Sequence, residues 1–164
     1  MSEFFIKNLE DWDTLAKKIA LRLRPGTIIT LSGPLGAGKT TFVQALARVL
    51  GSRQTPKSPT FSLVRVHRLV PKSGSTPSTP TRIVHVDAYR IEKSEDILPL
   101  GLDEALAEPG AILCIEWPEH LASWLAGHAD RKINLVIILE KDGMRRVLVK
   151  MSNAPGRSSS AGAS

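Results

Sequence analysis

The stretch Gly33-Pro34-Leu35-Gly36-Ala37-Gly38-Lys39-Thr40 decides how this chain folds, because it matches the pattern G-x-x-x-x-G-K-[ST] at every fixed position. A short β-prone run from Thr27 to Leu31 precedes it, and apolar residues at helical spacing follow it from Thr41 to Leu50. The pattern predicts a strand, a phosphate-binding loop and a helix in succession. Backbone N–H groups and the positive end of the helix attract an anion at such a junction.

Each fixed residue of the loop has an expected task. The glycines let the backbone wrap around phosphates without a clash at Cβ. Lys39 can reach the β- and γ-phosphates, and the Thr40 hydroxyl can ligate Mg²⁺. The residues expected to contact the nucleotide from this segment are Gly33, Gly36, Ala37, Gly38, Lys39, Thr40 and Thr41. The sequence therefore predicts a nucleotide-binding protein.

Length and composition fit one globular domain of 164 residues with a hydrophobic fraction of 42%. No apolar run approaches the roughly 18 residues of a membrane-spanning helix, and the first residues do not resemble a signal peptide. Cys114 is the single cysteine, so an intramolecular disulfide is excluded. It lies in an apolar run and is expected to be a buried hydrophobe rather than a reactive thiol. We expect a cytoplasmic protein without a membrane partner.

The net charge of +6 suggests, without deciding, an acidic partner. The basic residues scatter along the chain, and one Tyr with four Phe supplies few stacking platforms for single-stranded nucleic acid. A generally solvated basic surface is the preferred interpretation. Attraction to a nucleic acid, or to a partner that holds one, stays open.

Alternating helical and strand patterns predict an α/β fold, namely a three-layer sandwich of the P-loop NTPase type. Its sheet is expected to be largely parallel, with a C-terminal antiparallel hairpin that turns at Lys141-Asp142-Gly143. The domain is expected to span residues 1–151, with a flexible loop at 71–81 and a disordered tail at 152–164. Helices are predicted at 11–23, 41–50, 94–107 and 118–125, and strands at 27–31, 61–68, 82–87, 111–116, 132–139 and 145–150.

Two predicted strands end in an acidic residue, Asp87 and Glu116. Strand C-termini line the ligand crevice of an open α/β sheet, so both carboxylates are expected to face the phosphates. One would ligate Mg²⁺ and the other would order the attacking water, but the sequence does not say which does which. His85 points to the same face as Asp87. It is either a hydrogen-bond partner of that acid or a packed core histidine.

Three further segments are ambiguous from spacing alone. Thr60, in Ser-Pro-Thr-Phe, is either a hydroxyl that senses Mg²⁺ and γ-phosphate or part of an ordinary proline turn. Tyr89 and Arg90 are either a phosphate-reading pair or a surface pair. Trp117 is either a buried anchor or a contact beside the nucleotide.

Taken in order, the segments GPLGAGKTTF, SPTFSLV, HVDAYR, LGLDE and IEWPE resemble the TsaE (YjeE) family. These are small bacterial P-loop ATPases required for threonylcarbamoyladenosine at position 37 of tRNAs that read ANN codons. The resemblance runs from about Leu9 to Leu139. It implies ATP and Mg²⁺ as cofactors, a switch-like role for Thr60, a catalytic role for Asp87 in the H-x-D-x-Y-R motif, and an acid–indole pair formed by Glu116 and Trp117.

The resemblance also implies the partners TsaD and TsaB, with tRNA reached indirectly through that complex. ATP hydrolysis would reset the complex between turnovers. Three features depart from the family pattern: Pro34 stands where Asp is usual, His67 often corresponds to Tyr, and the insertion after Leu69 is longer than usual.

Two alternatives share the phosphate loop. A small-molecule or nucleotide kinase would need an arginine-rich lid, whereas residues 71–81 offer little beyond Lys72. A nucleotide-gated scaffold with negligible hydrolysis would differ from an ATPase only in turnover. A GTP-dependent switch would normally carry an Asn-Lys-x-Asp motif, which this sequence lacks.

Overall fold

The computed structural model of the chain describes residues 1–53, 63–70, 76 and 78–152. The expectations for Thr60, for most of the 71–81 loop and for the tail beyond residue 152 lie outside the described residues. They therefore stay predictions.

Seven strands form one sheet in the order β1-β7-β6-β2-β5-β4-β3. The four central strands, β6, β2, β5 and β4, run parallel, and β3, β7 and β1 are antiparallel to their neighbours. The strands are β1 (Ser2–Ile6), β2 (Ile28–Ser32), β3 (Val64–Arg68), β4 (Arg82–Asp87), β5 (Ala111–Glu116), β6 (Lys132–Leu139) and β7 (Arg145–Met151). The predicted fold class and the C-terminal hairpin are confirmed.

Helices cover both faces of the sheet. The α-helices are α1 (Leu9–Ala20), α2 (Lys39–Val49), α3 (Leu102–Ala107) and α4 (Ala122–Ala126), with 3₁₀ turns at Ala88–Arg90, Ser94–Asp96, Leu98–Leu100, Pro118–Leu121 and Ala129–Arg131. One apolar cluster joins α1 and α2 to one face of the sheet, and a second joins α3, α4 and their neighbouring turns to the other face. These are the three layers of the sandwich.

The structure corrects several predicted boundaries. Helix α1 begins at Leu9 rather than Asp11, because Asn8 accepts a hydrogen bond from the Asp11 N–H at 3.0 Å and the Asp11 carboxylate accepts one from Asn8 at 3.2 Å. The segment predicted as one broken helix at 94–107 keeps only α3 as α-helix, since Gly101 adopts a left-handed conformation at φ 59°. Strand β1, which the sequence analysis did not predict, pairs with β7.

The strands that lead to the phosphate loop and its neighbouring acids are almost completely buried. Every residue of β5 is buried, and Cys114 within it forms no disulfide. Burial raises the pKa of the Cys114 thiol well above its ordinary value, with the Glu116 charge acting in the same direction. The interpretation of this cysteine as a buried hydrophobe is confirmed. None of the described helices combines the length and hydropathy that a membrane crossing requires.

Candidate functional site

The phosphate loop joins β2 to α2. At two of its glycines the loop backbone lies so close to a neighbouring residue that a side chain would not fit. A Cβ atom on Gly33 would lie 2.6 Å from the Ile137 carbonyl oxygen, and one on Gly38 would lie 2.7 Å from the Trp12 ring. Gly38 also has a φ of 106°, which disfavours any side chain. Gly36 also has a positive φ, but a Cβ atom added there would have no neighbouring atom within 4 Å. The loop is thus supported from behind by α1 and β6.

Lys39 is the first residue of α2, and its side chain is buried. Its ammonium donates to the carbonyl oxygens of Gly33 at 2.7 Å and Pro34 at 2.9 Å. The same ammonium lies 3.9 Å from the centroid of the Trp117 ring. Burial lowers the pKa of Lys39 from its ordinary value, while the charges of Glu116 and Asp87 act in the opposite direction. The cation therefore lies within the loop, beside two carboxylates.

Glu116 connects the loop to the interior of the sheet. Its Oε1 atom accepts a hydrogen bond from the Thr40 hydroxyl at 2.7 Å and lies 2.8 Å from Nε2 of His85. The His85 ring is fully buried. The alternative that His85 is a hydrogen-bond partner of Asp87 is wrong, because the acid that His85 contacts is Glu116. The register places His85 beside Cys114, two pairs below the Asp87–Glu116 pair and on the same face of the sheet, so its ring reaches the longer Glu116 side chain.

Asp87 ends β4 directly opposite Glu116 on β5. It is buried, and its Oδ1 atom accepts a hydrogen bond from the Tyr89 N–H at 3.3 Å. The prediction that both acids lie at the C-terminal edge of the sheet beside the loop is confirmed. The two acids differ in their described contacts. The Glu116 carboxylate accepts a hydrogen bond from the Thr40 hydroxyl, whereas the Asp87 carboxylate accepts one from the Tyr89 N–H.

A pocket of about 320 Å³ opens between the loop and these acids. Trp117 and Tyr89 form one wall, with ring centroids 5.2 Å apart. Trp117 adopts φ 58°, a conformation that is unusual for a large side chain and that aims the indole at the loop. The lining residues are Leu35, Gly36, Gly38, Lys39, Thr40, Thr41, Asp87, Tyr89, Glu116 and Trp117.

Most of the predicted site residues therefore line this pocket. Gly33 and Ala37 belong to the loop but do not line the pocket, and the Ala37 N–H donates to Pro34 within the loop at 3.2 Å. Arg90 is exposed and outside the lining, so only its neighbour Tyr89 contributes a wall. Thr60 lies outside the described residues.

Two residues near the site were missed by the sequence analysis. Trp12 was expected only as a core residue of α1, yet it contacts the back of Gly38. His67 is buried with its ring 5.9 Å from that of His85. Burial, then the His85 and Arg65 charges, lower the pKa of His67 to about 4. Neither contact has a local signal in the sequence, since both arise from pairing of distant segments.

The donor atoms at the loop suit a hard divalent cation. Thr40 and Glu116 present oxygen atoms within hydrogen-bond distance of each other, and Asp87 adds a second carboxylate nearby. Within the described ranges, no group of three or more His, Cys, Asp or Glu side chains is arranged to hold a metal. This pattern fits Mg²⁺, which proteins usually bind through one or two carboxylates together with substrate phosphates and water.

Comparisons with known proteins agree with this geometry. A family model described as "Threonylcarbamoyl adenosine biosynthesis protein TsaE" matches residues 6–147. A Mycobacterium tuberculosis (H37Rv) protein named tRNA threonylcarbamoyladenosine biosynthesis protein TsaE is 37% identical over 138 residues, covering 80% of this chain and 77% of the relative. A protein of the same name from Bacillus subtilis is 35% identical over 141 residues, covering 85% and 79%.

A solved structure gives the same result for the fold. The crystal structure of Bacillus subtilis YdiB superposes with a TM-score of 0.67 at 27% sequence identity, over 93% of this chain and 86% of YdiB. Because the family model spans nearly all of the described fold and the relatives exceed 30% identity over most of the chain, this protein belongs to the TsaE family of tRNA threonylcarbamoyladenosine biosynthesis proteins.

Proposed function

We propose that this chain is a Mg²⁺-dependent ATPase that supports N6-threonylcarbamoyladenosine modification of tRNA by binding and resetting a TsaB–TsaD complex. One observation carries the ATPase proposal. A lysine ammonium, a hydroxyl and a buried carboxylate meet at a loop whose backbone is shaped for phosphate, through the contacts of Lys39, Thr40 and Glu116.

Lys39 would bind the β- and γ-phosphates. Its ammonium now contacts two loop carbonyls and an aromatic face, which are neutral partners. Phosphate oxygens carry full negative charge and form stronger, charge-assisted hydrogen bonds. The loop N–H groups at the start of α2 would bind the same anion without any change of fold.

Thr40 and Glu116 would hold the metal ion, and Asp87 would orient the water nucleophile. The hydrogen bond from Thr40 fixes Glu116 Oε1 at the loop, and His85 holds the same oxygen from the interior of the sheet. When bound there, Mg²⁺ would supply positive charge that offsets the negative charge developing on the phosphate oxygens. Asp87 lies opposite Glu116 in the register and lines the same pocket, which supports this proposed role.

The partner proposal rests on family membership. The relatives' names place them in tRNA threonylcarbamoyladenosine biosynthesis, and this pocket has no evident acceptor for a transferred phosphoryl group. The described lining consists of loop residues, two acids and two aromatic rings, and in this proposal the γ-phosphate is released to water rather than transferred to an acceptor. We propose a cytoplasmic place of action, with tRNA contacted through TsaB–TsaD and with a segment around Thr60 that responds to nucleotide.

Steady-state ATP hydrolysis with and without purified TsaB–TsaD tests this proposal and separates it from a nucleotide-gated scaffold. We expect slow turnover alone, marked stimulation by the complex, and no stimulated turnover in Lys39→Ala. If TsaB–TsaD binds but turnover stays at the level of the Lys39→Ala variant, the scaffold alternative replaces the ATPase. Transfer of phosphate to a small molecule rather than to water would support the kinase alternative.

A further inference from the structure

A group of basic side chains lies at the end of the sheet where the parallel strands begin. The carboxylates Asp87, Glu116 and Glu119 lie near Lys39 at the end where the parallel strands finish. At the end where those strands begin, the basic residues include Arg22, Arg24, Arg68, Arg82, Arg131, Lys132 and Lys150, together with the carboxylates Glu108 and Asp130. The scatter of basic residues in sequence thus becomes a cluster in space, which we call the basic end.

An open cleft of about 870 Å³ lies at the basic end. Its walls are the residues after α1, the turns that precede β2 and β5, and the start of β6. The charged groups in its lining are Arg22, Arg24, Arg131, Lys132, Glu108 and Asp130. Glu108 is also bound by Arg82 at 3.0 Å, so a cation outside the lining offsets its charge.

The four basic side chains of the lining make no ion pair within the described part of the chain. Arg24 donates to the Leu23 carbonyl and Lys132 to the Leu125 carbonyl, whereas Arg22 and Arg131 are exposed. Nearby, Arg68 and Arg82 lie directly opposite each other on β3 and β4. Like charges in that position destabilise a sheet, and of this pair only Arg82 has a described carboxylate partner, Glu108.

We propose that the cleft at the basic end binds the phosphate backbone of RNA. Three arginines that make no described ion pair, spaced around an open cleft with a net positive lining, match the repeated charges of a polyanion. The lining has no aromatic side chain among its described residues, so bases have nothing to stack on. The cleft therefore contacts backbone rather than reading sequence.

An acidic protein surface is the competing occupant, and the lining argues against it. The cores of protein interfaces are enriched in aromatic anchors, which are absent from the described residues of the cleft. The cleft is also separated from the nucleotide pocket by the length of a strand, about 16 Å for five residues. RNA binding there would be independent of nucleotide hydrolysis and would add a direct contact to the one that the chain makes with tRNA through TsaB–TsaD.

Fluorescence anisotropy of the full chain with a labelled, unmodified tRNA transcript tests the proposal. With four phosphate contacts, we expect log affinity to fall against log salt with a slope of about −3. Arg22→Gln/Arg131→Gln should flatten that slope by about 1.5 and weaken binding about tenfold or more at roughly 50 mM salt. Lys7→Gln/Lys141→Gln removes the same charge from exposed residues near the opposite end and should retain wild-type affinity. Lys39→Ala should also bind RNA normally, so loss of the ATPase does not affect this readout.

Three results would overturn the proposal. One is equal RNA affinity in the arginine double variant and the lysine double variant. Another is no RNA binding by the wild-type chain at roughly 50 mM salt. The third is loss of TsaB–TsaD capture in the arginine double variant with RNA affinity unchanged, which would assign the cleft to a protein partner. Circular dichroism of each variant establishes that the fold is retained.

Discussion

The ammonium of Lys39 lies 3.9 Å from the centroid of the Trp117 indole, so the buried cation of the loop is in direct contact with an aromatic face. Nucleotide phosphates would compete for this ammonium and change the field at the indole. We therefore expect the tryptophan fluorescence to change when ATP and Mg²⁺ are added.

Trp117→Phe is the matched variant for this first prediction, because Phe keeps an aromatic face over Lys39. The fluorescence change should disappear in this variant, while ATP affinity measured by calorimetry should stay within about tenfold, or roughly 1.4 kcal/mol. Trp124 lies outside the pocket lining and remains as an internal control, whereas Trp12 lies against Gly38 and reports on the loop itself. A full fluorescence response in Trp117→Phe would show that the indole does not report on Lys39.

The two acids should separate binding from turnover. Asp87→Asn and Glu116→Gln keep side-chain shape but remove the negative charge, so nucleotide affinity should survive within about tenfold. Partner-stimulated hydrolysis should fall by about 10²-fold or more, because the lost interactions act mainly in the transition state. Normal stimulated hydrolysis in both variants would show that neither acid is catalytic.

Gly38→Ala and Gly36→Ala form a matched pair in the phosphate loop. Both glycines have positive φ, but only Gly38 lies against a side chain, with its added Cβ 2.7 Å from the Trp12 ring. Gly38→Ala should therefore lower ATP affinity and thermal stability more than Gly36→Ala does. Equal effects, measured by calorimetry and thermal melts, would mean that the contact with Trp12 is not what requires glycine.

His67 should make the fold sensitive to acid. Its pKa is lowered to about 4 in the folded chain, chiefly by burial, from 6.5 in the unfolded chain. Between these values the unfolded state binds a proton that the folded state does not, so stability falls as pH falls through this window. At pH 5 the loss is about 2 kcal/mol relative to pH above 7.

His67→Phe removes this ionisable group and keeps an aromatic ring in the same place. The drop in unfolding free energy between pH 7.5 and pH 5.0, measured by urea titration, should shrink by about that amount in the variant. An unchanged drop would assign the acid sensitivity to other groups.

Much of the fold was predictable because its signals are local. The glycines and Lys39 mark the loop by their spacing, and apolar runs ending in Asp87 and Glu116 mark the strands whose ends meet it. Strand β1 was not predictable in the same way, since its Phe4 and Phe5 acquire a role only by pairing with β7. Local pattern does not encode such a long-range pairing.

The sequence predicted which residues belong to the site better than it predicted which of them contact one another. His85 could be placed on the correct face of β4, but which acid it reaches depends on the register between β4 and β5 and on side-chain length. The contact of Trp12 with Gly38 depends on how α1 packs against the loop. The basic end likewise forms only when turns far apart in sequence are brought together.

The central claim is that nucleotide hydrolysis by this chain resets TsaB–TsaD, and reconstituted tRNA modification tests it most directly. The rounds of threonylcarbamoyladenosine formed per TsaB–TsaD complex should be counted with the wild-type chain, with Lys39→Ala and with the chain omitted. We predict many rounds with the wild-type chain and ATP, and about one round in the other two reactions. Sustained multiple rounds with the chain omitted, or with Lys39→Ala, would contradict the resetting role.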